Sequence, residues 1–305
     1  MRHDSQLRGV TASVVASVLF GVVYFIPSAL GELSEFEAVA WRILFTLPFM
    51  AVLLVAIRSW REVTDAAARL RARPALIPAL VVTAGLLGAQ LFLFAWGPKT
   101  GHALDVALGY LLMPLVMVVL GVALHRERLG ALRIAAVAAA LIGVVAAFFA
   151  ADGISWATAA VAVGYPIYFT IRRALGLDSS GAMWLELVIL APVCVWFALG
   201  PASLVADGGS LPWGTLLLFG AVSAVALTLY IVAARLLTFS LFGLLSYVEP
   251  IVLVLVSLVL LGEAIAPSEY VTYAGISAAV LLLVVEGIVL TRRERRLGDQ
   301  PLPPG

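Results

Sequence analysis

Two stretches decide the fold: GYLLMPLVMVVLGVALHRERL at 109–129 and SYVEPIVLVLVSLVLLGEAI at 246–265. Each holds an apolar run long enough to cross a bilayer, because a helix rises about 1.5 Å per residue and roughly 20 residues span a hydrocarbon core. Each carries a proline near mid-run and a glutamate thirteen residues later, Pro114 with Glu127 and Pro250 with Glu263. Glu127 sits between Arg126 and Arg128, whereas the segment around Glu263 has no basic residue. The same short pattern therefore recurs with its ends exchanged across the membrane, as in a repeat inserted upside down. Two more matches follow. Pro48 and Pro192 each lie six residues after a charged residue, Arg42 and Glu186, and Tyr24-Phe25 is echoed by Tyr168-Phe169.

Working outward, 63% of the 305 residues are hydrophobic and 12% charged, far from the balance of a soluble domain, so the bilayer is the solvent. Ten runs qualify as spans, near 9–30, 36–57, 75–96, 103–124, 134–151, 155–171, 183–200, 213–234, 240–261 and 269–290. The first run is too long for a signal-peptide core and is expected to remain as a helix. Of the 19 basic residues, all but Lys99 and the intramembrane Arg42 fall in segments that alternate onto one side. Basic loops resist translocation, so that side and both termini are expected to be cytoplasmic, in an inner (plasma) membrane. The fold expected is an all-α membrane protein of ten transmembrane helices in two inverted five-helix repeats, 1–151 and 152–291. A cytoplasmic tail at 292–305, rich in Pro and Gly, is expected to be disordered. The longest basic connection, WREVTDAAARLRAR at 60–73, reads either as a short amphipathic helix along the headgroups or as a solvated linker.

At this point the residues resemble a known group. GPKTGHALDVALGYLLMPLVMVVLGVALHRERL (97–129), AWRILFTLPF (40–49) and ARLLTFSLFGLLSYVEPIVLVLVSLVLLGE (234–263) are similar to the RarD branch of the drug/metabolite transporter superfamily, with its paired EamA-type domains. The resemblance runs through the whole membrane portion and implies a ten-helix secondary carrier with cytoplasmic termini. It carries over Arg42, Gly101-His102, Leu108-Gly109-Tyr110, Pro114, Glu127, Glu186, Tyr247, Pro250 and Glu263. The chain departs from the family pattern at Trp41, usually His; Asp105, usually Glu; Met113, usually Asn; and Glu249, usually apolar. Those departures line the expected centre, so no substrate is transferred from a relative.

An ionised side chain at the bilayer centre costs about 2.5–3.5 kcal/mol on insertion scales, so each one needs a partner or a function. Counting helix rise places Arg42 below the outer face, Glu249 near the midplane and Glu186 close to the inner face. Arg42 and Glu249 are thus expected to interact, either as a site where Arg42 grips a substrate carboxylate against Glu249 or as a fixed packing pair. Glu186 is either a substrate contact or a snorkelling, locally bonded group. Tyr24, Trp41, Tyr110 and Tyr247 are expected to wall the cavity, with Gln90 bonding substrate or a neighbouring helix. Trp60, Trp96, Trp156 and Trp213 read as interface anchors. Pro114 and Pro250 are the expected bend points. His102 and Asp105, near Lys99, read as entrance charges or wet loop residues, and Gly85, Gly88, Gly143 and Gly164 as packing positions.

The net charge of +1 gives no attraction to nucleic acid, and the single Cys194 and scattered His3, His102 and His125 form no metal or cofactor motif. No G-x-x-x-x-G-K-[ST], H-E-x-x-H or G-x-S-x-G arrangement occurs, which argues against nucleotide-driven pumping and against an enzyme. The function expected is transport of a small metabolite or drug-like molecule, amino-acid-like or carboxylate-bearing, by alternating access, with proton coupling through Glu249 or Glu186 left open. A lipid scramblase or a non-transporting receptor is the alternative.

Overall fold

The computed structural model describes residues 2–100, 102–149, 155–256 and 270–298, and every regular element among them is helical. In chain order these are α1 (Arg2–Phe25), α2 (Glu35–Ala56), α3 (Arg61–Ala72), α4 (Ile77–Lys99), α5 (Ala103–Ala123), α6 (Ala131–Phe149), α7 (Trp156–Leu175), α8 (Ser180–Leu199), α9 (Trp213–Leu236), α10 (Phe239–Leu245), α11 (Val248–Val256) and α12 (Tyr270–Gly298). Among the described residues seven helices are long and apolar enough to cross a membrane: α1, α2, α4, α5, α6, α8 and α9. α10 with α11, and α12, hold shorter apolar runs. α7 has comparable length but carries Thr158, Tyr165, Tyr168, Thr170 and the pair Arg172-Arg173, and those side chains build the interior described below.

Local chemistry sets the ends. Ser34 and Glu37 form a reciprocal capping box at the start of α2, the Glu37 amide donating to Ser34 Oγ at 3.2 Å and the Ser34 amide to Glu37 Oε2 at 3.0 Å. Glu37 Oε1 also accepts the Leu204 amide at 2.6 Å, which ties the α8–α9 connection to the head of α2. Ser155 and Ser179 cap α7 and α8. α7 ends at Gly176 in the left-handed region (φ 61°), a conformation that lets the Leu177 amide reach back to the Arg172 carbonyl at 2.8 Å.

Two expectations change and one open alternative is settled. The run at 240–261 is not one helix: it breaks at Ser246-Tyr247 into α10 and α11, and its part beyond 256 lies outside the described residues, as does Glu263. Pro250 consequently sits in the first turn of α11, where a missing N–H costs nothing, rather than in a helix interior, where Pro114 sits in α5. The connection at 60–73 forms helix α3, seated on α8 through Val63 and Ala66. At the far end α12 continues to Gly298, through the arginine-rich stretch expected to begin the tail. Glu294 and the arginines are good helix formers, and cations suit a helix C-terminus.

The main packing partners are α6 with α12, α1 with α9, α5 with α7, and α2 with both α8 and α9. α6 and α12 meet backbone to backbone: a Cβ built on Gly275 would lie 2.7 Å from the Ala139 carbonyl oxygen and 2.8 Å from the Gly143 nitrogen. Gly275→Ala is accordingly expected to destabilise by about 1–3 kcal/mol, the usual cost of overpacking. It should appear as a lower melting temperature of the detergent-purified protein, and an unchanged melt would refute this account of the contact.

Candidate functional site

Arg42 projects from the middle of α2 into the bundle and is 4% exposed. Its Nε donates to Ser223 Oγ on α9 at 3.0 Å, and its guanidinium lies over the Phe219 ring, 5.4 Å from the centroid. Among the described residues neither terminal amino group has a hydrogen-bond partner. An arginine held at Nε and open at its fork is a presented anion receptor. Glu249 stands in the first turn of α11, where the positive end of the helix dipole favours a carboxylate. No direct ion pair joins it to Arg42, but the two charges act on each other, and both act on the Tyr110 and Tyr165 hydroxyls.

The expected Arg42–Glu249 interaction is thus not a direct ion pair, although the two charges lie close enough to act on each other. Helix rise fixes the level of a residue but not the direction in which it points. Tyr230 joins the group from α9. The wall is aromatic: Tyr230 packs edge-on to Phe20 at 5.5 Å and against Phe242 at 4.7 Å, and Tyr110 packs edge-on to Phe94 at 5.6 Å. Tyr24 meets the same Phe94 at 5.1 Å.

Other expected wall residues are engaged elsewhere. Trp41, 7% exposed, stacks on Phe45 and meets Trp213 edge-on at 5.9 Å, which makes Trp213 a partner of the core as well as an exposed residue. Gln90 Nε2 donates to the Ala160 carbonyl at 2.9 Å, leaving Oε1 buried without a partner. The Gln90 amide crosses over Gly164, where a Cβ would fall 2.0 Å from Nε2. Tyr247 is fully buried and donates to the Leu111 carbonyl at 2.8 Å. This bond pins the α10–α11 break to α5 one turn before Pro114.

Glu186 belongs to a second buried group, one turn inside the arginine-rich end. Oε1 accepts from Thr83 Oγ1 at 2.6 Å, and Oε2 accepts from Tyr168 Oη at 2.9 Å and from Arg172 Nη1. Arg172 Nη1 also donates to Tyr168 Oη at 2.8 Å, and Nη2 to the Ser179 carbonyl at 2.7 Å. Arg172 and Glu186 are both 0% exposed. Sequence reasoning counted Arg172 with the loop cations, and it is instead the buried partner of Glu186. The available signal was its position four residues after Tyr168, on the same helix face.

Glu127 closes the arginine-rich end of α5 against α10, accepting the Phe239 amide at 2.5 Å and the Ser240 amide at 2.9 Å, with Arg173 Nη1 at 4.0 Å. Glu286 on α12 pairs with Arg133 on α6 at 2.9 Å.

An all-helical bundle with several bilayer-length apolar helices around a buried polar centre is a multi-pass membrane protein. Residues 7–149 match the EamA-like transporter family. The chain is 38% identical over 293 residues to the chloramphenicol-sensitive protein RarD of Pseudomonas aeruginosa, covering 95% of this chain and 98% of that one. It is 34% identical to an uncharacterized transporter of Haemophilus influenzae, covering 92% and 94%, and 26% identical to protein RarD of Salmonella typhimurium, covering 92% and 93%. A crystal structure at 20% identity superposes with a TM-score of 0.67 over 93% of this chain and 99% of that one, a likeness of fold. The chain belongs to the EamA-like transporter family of drug/metabolite transporters, in its RarD-like branch.

Proposed function

We propose that this protein is a secondary carrier that moves a small, carboxylate-bearing or amino-acid-like metabolite, or a drug-like molecule, across the inner membrane by alternating access. The carrying observation is that Arg42, 4% exposed and held at Nε by Ser223, keeps two donors with no partner among the described residues, close enough to Glu249, Tyr110 and Tyr165 for the charges to act on one another. Arg42 receives the anionic group, Glu249 takes a cationic group or a proton, and the aromatic wall covers the body. Tyr24 adjoins this centre through Phe94, Trp41 and Gln90 are read as packed neighbours that the substrate reaches during the cycle, Glu186 and Tyr247 as its surroundings, and Pro114 inside α5 and Pro250 in the first turn of α11 as the points where those helices give.

The carrier is read as ten spans in two inverted repeats, 1–151 and 152–291, with both termini and the 292–305 tail cytoplasmic. Contacts between helices support that reading. Exchanging each first-half helix with its second-half counterpart turns the α1–α9 contact into α7–α4, α2–α9 into α8–α4, and α5–α7 into α11–α1, all of which occur. The α2–α8 and α6–α12 contacts map onto themselves, as expected for helices flanking a two-fold axis in the membrane plane.

The test is a thermal-shift screen of the detergent-purified protein against amino acids, small mono- and dicarboxylates, and chloramphenicol, the compound in the Pseudomonas relative's name. A stabilising compound is expected to lose at least tenfold in affinity with Arg42→Ala, as for a lost charge-assisted contact of about 1.5–3 kcal/mol. Its binding should also lose its pH dependence with Glu249→Gln. A ligand that binds Arg42→Ala as tightly as the parent would overturn the site.

A further inference from the structure

Helix α3 has no part in the carrier site, yet it belongs to the first half of the chain and grips three helices of the second. Glu62 Oε1 accepts from Arg235 Nη1 in the last turn of α9 at 2.7 Å, while Oε2 accepts the Ser180 amide at the start of α8 at 3.0 Å. Arg69 donates to the Gly176 carbonyl at 2.6 Å and to the Leu175 carbonyl at 3.0 Å, which closes the end of α7. Between these two grips α3 rests on α8 with no intervening side chain: a Cβ on Gly181 would lie 2.2 Å from the Glu62 carbonyl carbon. Val63 and Ala66 are buried in that seat.

The seat itself is rigid. Ser179 and Ser180 are the residues α3 grips or adjoins, and the Ser179 carbonyl accepts from Arg172, which bonds Glu186 and Tyr168 in the interior, Glu186 in turn accepting from Thr83. The grip is of the opposite kind. The Arg235 and Glu62 side chains are 42% and 28% exposed, and exposed pairs of this class are individually weak. Exposed catches over a seat braced by buried bonds, with only Val63 and Ala66 buried between the two, are the construction of a part that releases and returns. These contacts all cross from one half of the chain to the other at the arginine-rich end, so any separation of the halves there breaks them together.

We propose that α3 is a latch that holds the cytoplasmic mouth of the bundle shut, with Glu62 and Arg69 as its two catches and the Arg172–Glu186 pair as positioning residues for its seat. That this end is the cytoplasmic one, and that the latch gates a transport cycle, rest on the carrier reading above.

The experiment uses full-length protein in membrane vesicles, with Cys194→Ala removing the native thiol and Ser223→Cys as reporter. Ser223 is 0% exposed beside Arg42, so its labelling by a membrane-impermeant maleimide reports entry to the centre. In inside-out vesicles the Glu62→Gln/Arg69→Gln protein is expected to label about tenfold faster than the latched background, and Arg235→Gln part of the way. In right-side-out vesicles the rate is expected not to rise. Equal inside-out rates with and without the two substitutions would overturn the latch, and so would a rise from both sides, which reports general loosening. If ligand binding survives Arg42→Ala while the latch variants still label from the cytoplasmic side only, the carrier site fails and the latch stands.

Discussion

Glu186→Ala is expected to destabilise the folded protein by about 3–5 kcal/mol, the cost of leaving one member of a buried ion pair without its counter-charge. Arg172 is 0% exposed and has no route to water. Without Glu186 it keeps only Tyr168 and the Ser179 carbonyl, while Thr83 loses the acceptor at 2.6 Å. The pair as a whole contributes far less than either half costs when removed alone, because ionisation of both groups carries a large desolvation penalty. The double variant Glu186→Leu/Arg172→Leu is therefore expected to recover most of the loss. Denaturation of the purified proteins, compared in a double-mutant cycle, measures the coupling directly. Additive losses in the double variant would show that the two residues do not act as a pair.

Glu127→Ala is the second large effect, expected at about 2–3 kcal/mol, since hydrogen bonds to a charged acceptor exceed neutral ones. The carboxylate satisfies two amides at the start of α10, a helix of only seven residues that has little intrahelical bonding to spare. Glu127→Gln keeps one amide acceptor and should retain part of the stability. Hydrogen exchange at Phe239 and Ser240 checks the mechanism: the Ala variant is expected to exchange there faster than at α9 amides. Unchanged protection at the two amides would reject the capping role.

The long helices were legible because an apolar run of bilayer length leaves few alternatives. The break at Ser246-Tyr247 was not, since apolar residues continue on both sides and hydropathy is blind to backbone direction; Pro250 marked the neighbourhood but not the position. The central site was legible in part. An arginine or glutamate deep in an apolar run announces itself energetically, which is how Arg42 and Glu249 were found. Ser223 gave no signal, because a serine costs little in a membrane helix and its role depends on the azimuth of α9. Arg172 was misread for the opposite reason: tallying arginines for topology treats each one as aqueous, and here the last turn of α7 folds it back inside. The Tyr247 to Leu111 bond could not be read at all, as it joins positions 136 apart in sequence.

The glycine-mediated contact of α6 with α12 bears on biosynthesis. α6 ends at Phe149 and its main partner begins at Tyr270, so about 120 residues are made in between. At elongation rates of roughly 5–20 residues per second this delay is on the order of ten seconds. Throughout it, α6 must rest in lipid or beside an insertase with its small-residue face uncovered, and the bundle is completed only when the final helix leaves the ribosome. Chains truncated before α12 thus lack the docking partner on which their sixth helix depends.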